Sequence, residues 1–323
     1  MIESTTSSES LFPPLAERYE RIAKANQESF YMTDPNRSFD VFMSVESAGG
    51  NRLLGAAAAR HMLGDNMSIK RGPEDIDDQT RVRLANEHVR AYLNPEHGIG
   101  VDGSSVILLN PAHNYDRALN AINIDLEAFQ PHDLPASAEE EADFIYTYNP
   151  NLALGAKPAD CPIVIASAET PKGPIYMMTH FAWRGAAQPE TTGVKAMTKI
   201  YDKFGVDRST LQMYVAPGGQ AESFQYTGYD HDPYDEYPDA RGLFEVTKEE
   251  NGSYSFTIDT PYYVYSQLLE LGIDPKQIFV DVSDTASTKS GYSSHGRSVR
   301  LQKEGIPTQN SRDLVIAKFR PHH

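Results

Sequence analysis

The chemistry of this chain is best sought around its single thiol. Cys161 is the sole cysteine among 323 residues and lies in Ala159-Asp160-Cys161. Shortly after comes His180-Phe181-Ala182-Trp183-Arg184-Gly185, which holds the sole tryptophan. A thiolate and an imidazole on neighbouring elements can bind zinc, or can act as nucleophile and base. The bland counterpart is a small buried thiol beside a histidine satisfied in the core. Catalytic zinc takes three protein ligands and keeps one position open, so the pair needs a third donor. His113 is the candidate: it follows the apolar run Val106 to Leu109 and would lie at a strand end. Cys161 and His180 would also lie at strand ends, where three ligands converge more easily than from scattered helices.

Those strand ends come from a recognisable pattern of elements. Helical spacing appears at 15–28, 51–63 and 77–93, with Asp77 or Asp78 placed to cap the last. Two further helices, 192–204 and 261–271, each end at a glycine and lead into a strand. Apolar or alternating runs bounded by turn residues predict strands at 39–44, 105–109, 144–148, 162–167, 175–180, 211–216, 254–258, 278–282 and 314–319. Alternation of helix and strand through the middle and C-terminal parts predicts an α/β chain without internal repeats. No Gly/Ser-rich or Pro-rich linker divides it, so 15–323 reads as one domain, with the Ser/Thr/Glu-rich segment 1–14 disordered. The Tyr-, Asp- and Pro-rich segment Tyr226 to Arg241 could be a cation site through its carboxylates and His231. It lacks the spacing of an EF-hand, and a solvated loop is expected instead.

Charge narrows the partners. Lys and Arg total 29 against 45 Asp and Glu, a formal net charge of -16. Such a surface repels nucleic acid and anionic lipid, so an anionic substrate would require local arginines. A lone cysteine excludes an intramolecular disulfide, and the polar, acidic start has no basic and apolar leader pattern. A cytoplasmic protein is expected. No apolar run approaches the ~18 residues of a spanning helix.

Four stretches carry a resemblance. Ala142-Asp143-Phe144-Ile145-Tyr146-Thr147, Leu152-Ala153-Leu154-Gly155, Ala159-Asp160-Cys161-Pro162-Ile163-Val164 and His180-x-x-Trp183-Arg184-Gly185 follow one another in the order and spacing of the YfiH-type laccase-domain family, also called multicopper polyphenol oxidase or purine nucleoside phosphorylase. Downstream, Gly193 to Pro217, Thr260 to Ile278, Ser294-His295-Gly296-Arg297 and Ser311-Arg312 resemble later elements of that family, and Leu109 to His113 resembles the region of its first histidine ligand. The resemblance implies a compact α/β (α+β) fold with mixed central sheets flanked by helices, and a zinc ion held by His113, Cys161 and His180. It also implies phosphorolysis of purine nucleosides (adenosine, inosine, guanosine, methylthioadenosine), with adenosine deamination a possible companion. Copper fits less well, because a multicopper site needs many more paired histidines.

The chain departs from the family pattern near the site. Phe181 and Ala182 replace small residues after the histidine, Ala216-Pro217-Gly218-Gly219-Gln220-Ala221-Glu222-Ser223 lacks the family's two cysteines, Ser44-Val45-Glu46 lacks its arginine, and Asn114 replaces the glycine after the first histidine. On this reading Arg184, Arg297 and Arg312 are candidates to clamp phosphate, since guanidinium suits oxyanions. His295 is the candidate to protonate the leaving base, Asp160 to orient a ligand, and Glu222 or Asp160 to shuttle protons in deamination. Two alternatives belong to other classes. Cys161 and His180 could act without metal as a cysteine hydrolase or deamidase, as in the cysteine deamidase toxins that share the fold, or the chain could bind metal without turnover. His113 separates the first from the leading reading, because only metal catalysis needs it.

Overall fold

In the computed structural model, residues 13–43, 93, 100–102, 105–112, 117–126, 136–138, 140–288, 290, 292, 294–306 and 313–320 are described. The N-terminal part gives α1 (Leu15–Glu28), α2 (Phe30–Thr33), β1 (Phe39–Met43), β2 (Val106–Leu108), β3 (Ala121–Asn123) and β4 (Ala136–Ser137). The middle gives β5 (Phe144–Thr147), β6 (Ala153–Ala156), β7 (Ile163–Thr170), β8 (Gly173–His180), α3 (Trp183–Ala186), α4 (Val194–Phe204) and β9 (Gln212–Val215). The remainder is β10 (Gln225–Tyr229), α5 (Pro233–Glu236), β11 (Phe244–Lys248), β12 (Tyr254–Ile258), α6 (Thr260–Glu270), β13 (Ile278–Val280), α7 (His295–Lys303) and β14 (Val315–Phe319).

Strands β13-β9-β7-β8-β5-β3 make a mixed six-stranded sheet at the centre. Its middle strands are apolar on both faces because both are covered. Alternate residues of β7 and β8 divide between two cores: Val164, Ala166, Ile175 and Met177 face helices α1, α4 and α6, where Ile22, Met197, Tyr201, Val264 and Leu268 pack. Ile163, Ile165, Tyr176 and Met178 face a five-stranded sheet, β1-β14-β6-β2-β4, through Phe39, Ile107, Leu154, Val315 and Phe319. A continuous apolar run is the signature of a strand buried in this way. The molecule is therefore a single α/β domain of mixed sheets flanked by helices, as expected. The predicted helix at 51–63 and all but the last residue of the one at 77–93 lie outside the described residues; that last residue, Leu93, is helical and buried.

Segment 225–241 differs from the expected solvated loop. It holds β10, the edge of an antiparallel sheet β10-β12-β11, and the short helix α5. Its tyrosines explain the difference: Tyr226 stacks on Phe256 with ring centroids 5.4 Å apart, and Tyr237 is buried against Trp183. Aromatic rings with polar ends gain burial while their hydroxyls stay partnered, which polar composition alone conceals. The expected disorder of 1–14 also needs trimming at its end, because Pro13 is buried and its carbonyl accepts from Arg18 Nε at 3.0 Å. Residues 1–12 lie outside the described residues.

Candidate active site

Hairpin arithmetic brings the thiol and the imidazole together. Strands β7 and β8 pair antiparallel from Thr170↔Gly173 to Ile163↔His180, closed by Pro171 and Lys172 with Gly173 at φ +105°, a conformation that glycine adopts without strain. The Cys161 turn, two residues before β7, thus comes alongside the chain leaving β8, and Phe181 N donates to Pro162 O at 3.0 Å. On the other side of β8, Phe144 pairs with Thr179, so Asp143 arrives beside His180. His180 N donates to Asp143 O at 2.8 Å, and its ring Nδ1 lies 2.9 Å from Asp143 Oδ1. The Cys161 sulfur hydrogen-bonds the same ring.

Carboxylate, imidazole and thiol thus form one connected line. His180 is only 7% exposed, and burial alone would lower its pKa. The hydrogen bonds to Asp143 and Cys161 reverse that effect and push it up to about 9.

Asp160 fixes the backbone of the cysteine turn. It is the one non-glycine residue at positive φ (79°) among the described residues, a conformation costing about 1–3 kcal/mol that persists only when its surroundings over-determine it. Here they do: its carboxylate accepts from Thr285 Oγ1 at 2.9 Å, from Gly296 N at 2.7 Å and from the Ser294 hydroxyl, while its carbonyl accepts from Gly219 N at 2.9 Å. Burial raises the Asp160 pKa and those hydrogen bonds oppose the rise. Gly218 permits the close approach, since a Cβ there would lie 2.8 Å from Pro261 Cγ and 2.9 Å from Asp160 O. The glycines that replace the family's segment after Pro217 are thus packed directly beneath the cysteine turn.

An aromatic cluster lies near the thiol. The Trp183 indole N–H donates to the Tyr226 hydroxyl, which is within electrostatic reach of Cys161, and Tyr237, Phe244 and Phe256 surround the indole edge-on. Arg184 is exposed, lies over the Trp183 ring with 4.8 Å to its centroid, and hydrogen-bonds the Tyr237 hydroxyl. His295 opens α7 and is close enough to Asp160 to interact electrostatically with it.

The other sequence candidates are placed differently. Arg297 turns its guanidinium into the loop 287–292, donating to the carbonyls of Ser287 and Tyr292 and to Ser290 Oγ. These partners make it a brace for that loop. Glu222 is exposed. His113 and Arg312 lie outside the described residues. Among the described residues no group of three His, Cys, Asp or Glu side chains could hold a metal ion. A metal at Cys161 and His180 therefore requires a donor from beyond them. Asp143 was missed as a site residue although it stands in the quoted motif Ala142-Asp143; the signal was an acidic residue next to a strand whose partner ends in histidine.

The two ligand types themselves suit zinc, and a carboxylate on the far nitrogen of a ligating histidine is the usual arrangement for fixing its ring and tautomer. No helix among the described residues is long and apolar enough to cross a membrane.

Three solved structures share the fold. The hypothetical protein YfiH of Bacillus licheniformis superposes with a TM-score of 0.51 at 19% identity, covering 77% of this chain and 85% of its own. Protein NMB0706 of Neisseria meningitidis gives 0.53 at 16% identity, over 88% and 95%. YlmD of Geobacillus stearothermophilus gives 0.55 at 14% identity, over 90% and 95%. Comparison with the curated proteins gives no match. Residues 66–305 match the model of one family, and on that match, which spans most of the chain and takes in the cysteine turn, the aromatic wall and α7, the chain belongs to the YfiH-type family described as multi-copper polyphenol oxidoreductase laccase.

Proposed function

We propose that the chain is a zinc-dependent purine nucleoside phosphorylase, with Cys161, His180 and His113 as the ligand set. The observation that carries the reading is the Asp143–His180–Cys161 connection, in which a buried carboxylate holds Nδ1 of an imidazole that also hydrogen-bonds the thiol. A zinc ion held there would supply Lewis acidity to an oxygen at its open position.

The chain's own groups account for the remaining needs of phosphorolysis. Positive charge develops on the ribose and negative charge on the departing base, and phosphate must be held near the anomeric carbon. Arg184, at the exposed rim on the Trp183 ring, offers the guanidinium for phosphate. The faces and edges of Trp183 and Tyr226 offer an apolar wall for a purine. His295, within electrostatic reach of Asp160, is the group assigned to give a proton to the leaving base. Arg297, occupied in its loop, is left out of this scheme. Family membership and the YfiH-type fold support enzymatic activity of this general kind.

The test is release of free purine from adenosine and inosine with and without inorganic phosphate, in wild type and in His113→Ala. Phosphate-dependent release, reduced at least about 100-fold in His113→Ala, is the expected result for loss of one zinc ligand. Ammonia release without phosphate would assign deamination instead.

One observation favours a second reading. Thiol, imidazole and carboxylate in line are also the parts of a cysteine nucleophile with an oriented base. In that case activity toward amide substrates would survive both chelation and His113→Ala, and Cys161→Ala would abolish it.

A further inference from the structure

Beyond the cysteine turn runs a cleft of about 390 Å³ between β10 and α7. One wall is aromatic, from Phe224, Tyr226 and Tyr229; the other is the face of α7 formed by Val299, Arg300 and Lys303. Residues 296, 299, 300 and 303 are spaced by three and four, so they form one stripe along the helix. Gly296 begins the stripe, and a Cβ there would lie 2.6 Å from Phe224 Cδ2 and Cε2, so glycine lets helix and aromatic wall meet at the inner end. At that end the cleft adjoins the site: it is lined there by His295 and Gly296, Gly296 N holds the carboxylate of Asp160 next to Cys161, and Tyr226 is within electrostatic reach of Cys161. Outward, polarity changes. Arg300 is anchored by donation from Nη1 to Ser223 O at 3.0 Å, which fixes its guanidinium against the cleft, and Lys303 follows one turn later.

An apolar, ring-lined inner end and a cationic outer end, in a chain of net charge -16, select for an elongated ligand with a planar part and an anionic tail. We propose that this cleft is a binding site for the phosphate-bearing end of a nucleotide, so that the preferred substrate of the Cys161 site is a phosphorylated nucleoside. The proposal rests on the reading of Cys161 and His180 as the reacting end. Glu304 at the outer lip tempers the positive charge, and it favours a tail that reaches between Arg300 and Lys303 over one that stays at the mouth.

Calorimetric titration of the full chain in phosphate-free buffer, at low ionic strength, separates the possibilities. Adenosine 5′-monophosphate, adenosine and inorganic phosphate are the probes. Binding of the monophosphate about tenfold or more tighter than adenosine is expected, as one charge-assisted contact provides. Lys303→Glu should erase most of that difference, Lys303→Arg should retain it, and Glu304→Gln should enlarge it. The same series in Cys161→Ser reads the cleft without turnover, so a failure of the phosphorylase reading leaves this result standing. Equal affinity for the monophosphate and adenosine in wild type, or a monophosphate affinity unchanged in folded Lys303→Glu, would overturn the proposal. Preferential binding of inorganic phosphate alone would also overturn it.

Discussion

At the scale of single residues, the strained Asp160 and the buried Asp143 carry the account. Asp160 tolerates positive φ only because four hydrogen bonds hold it there, two of them from backbone N–H groups. Replacement by alanine would leave the N–H of Gly296 and the hydroxyl of Thr285 without that acceptor while keeping the backbone strain. A loss of about 2–4 kcal/mol is expected in denaturant unfolding, combining unsatisfied donors and strain. Asparagine, which enters the left-handed region more readily and keeps an acceptor, should lose less than half as much. Asp143→Asn tests the orienting carboxylate: zinc affinity, read by competition with a chelator, should fall about 10–100-fold with little change in fold. An unchanged affinity would remove Asp143 from the site. The pairing of Cys161 with His180 was legible in the sequence because the cysteine is unique and both residues lie in short, ordered motifs. Asp143 and the bracing role of Arg297 were not, because both depend on strand register and on a loop that spacing cannot show.

Among the elements, α1 does more than cover the core. Asn26 pairs with the outer edge of the central sheet, its Nδ2 donating to Val280 O at 2.7 Å and its Oδ1 accepting from Val280 N at 3.0 Å. A side-chain amide thus satisfies both backbone groups of Val280 in β13, an edge strand that would otherwise be more open to pairing with another chain. Asn26→Ala should cost about 1–3 kcal/mol and increase self-association, seen together as a lower melting temperature and a larger sedimentation coefficient. Melting that stays unchanged would show that the edge is closed by something else. The sequence revealed β5, β7, β8, β9 and β13 of the central sheet because burial on both faces makes their runs largely apolar, but it did not reveal the short, half-buried edge strand β3. It did not reveal β10 and β11, whose exposed residues interrupt any apolar run. Nor did it mark β6, Ala153–Ala156, as a strand. Small residues there admit the neighbouring strands, and a Cβ on Gly155 would lie 2.5 Å from Leu108 Cδ2.

Across the whole molecule, one buried ion pair joins the N-terminal helix to the part of the chain that supports the aromatic wall. Arg18 Nη1 lies 3.2 Å from Asp259 Oδ2, and Nη2 lies 2.9 Å from Glu245. Asp259 is fully buried, caps α6 through Tyr262 N and accepts from Tyr19. Removing one partner of a buried pair leaves an uncompensated charge, so Arg18→Ala should destabilise by about 3–5 kcal/mol in equilibrium unfolding. A change below the error of that measurement would mean the carboxylate is satisfied without Arg18. Fold class was readable from the alternation of elements and from the family motifs, whereas long-range ties such as this one, 241 positions apart, have no local sequence signal. Around this scaffold the central claim concerns one metal ion at the cysteine turn. Elemental analysis of purified wild type and Cys161→Ala tests it most directly. About one zinc per chain in wild type, lost from a folded Cys161→Ala, is the predicted result, since catalytic sites use three protein ligands and tolerate loss of one poorly. Zinc retained at the same stoichiometry without the thiol, or absent from wild type saturated with zinc and dialysed, would contradict it.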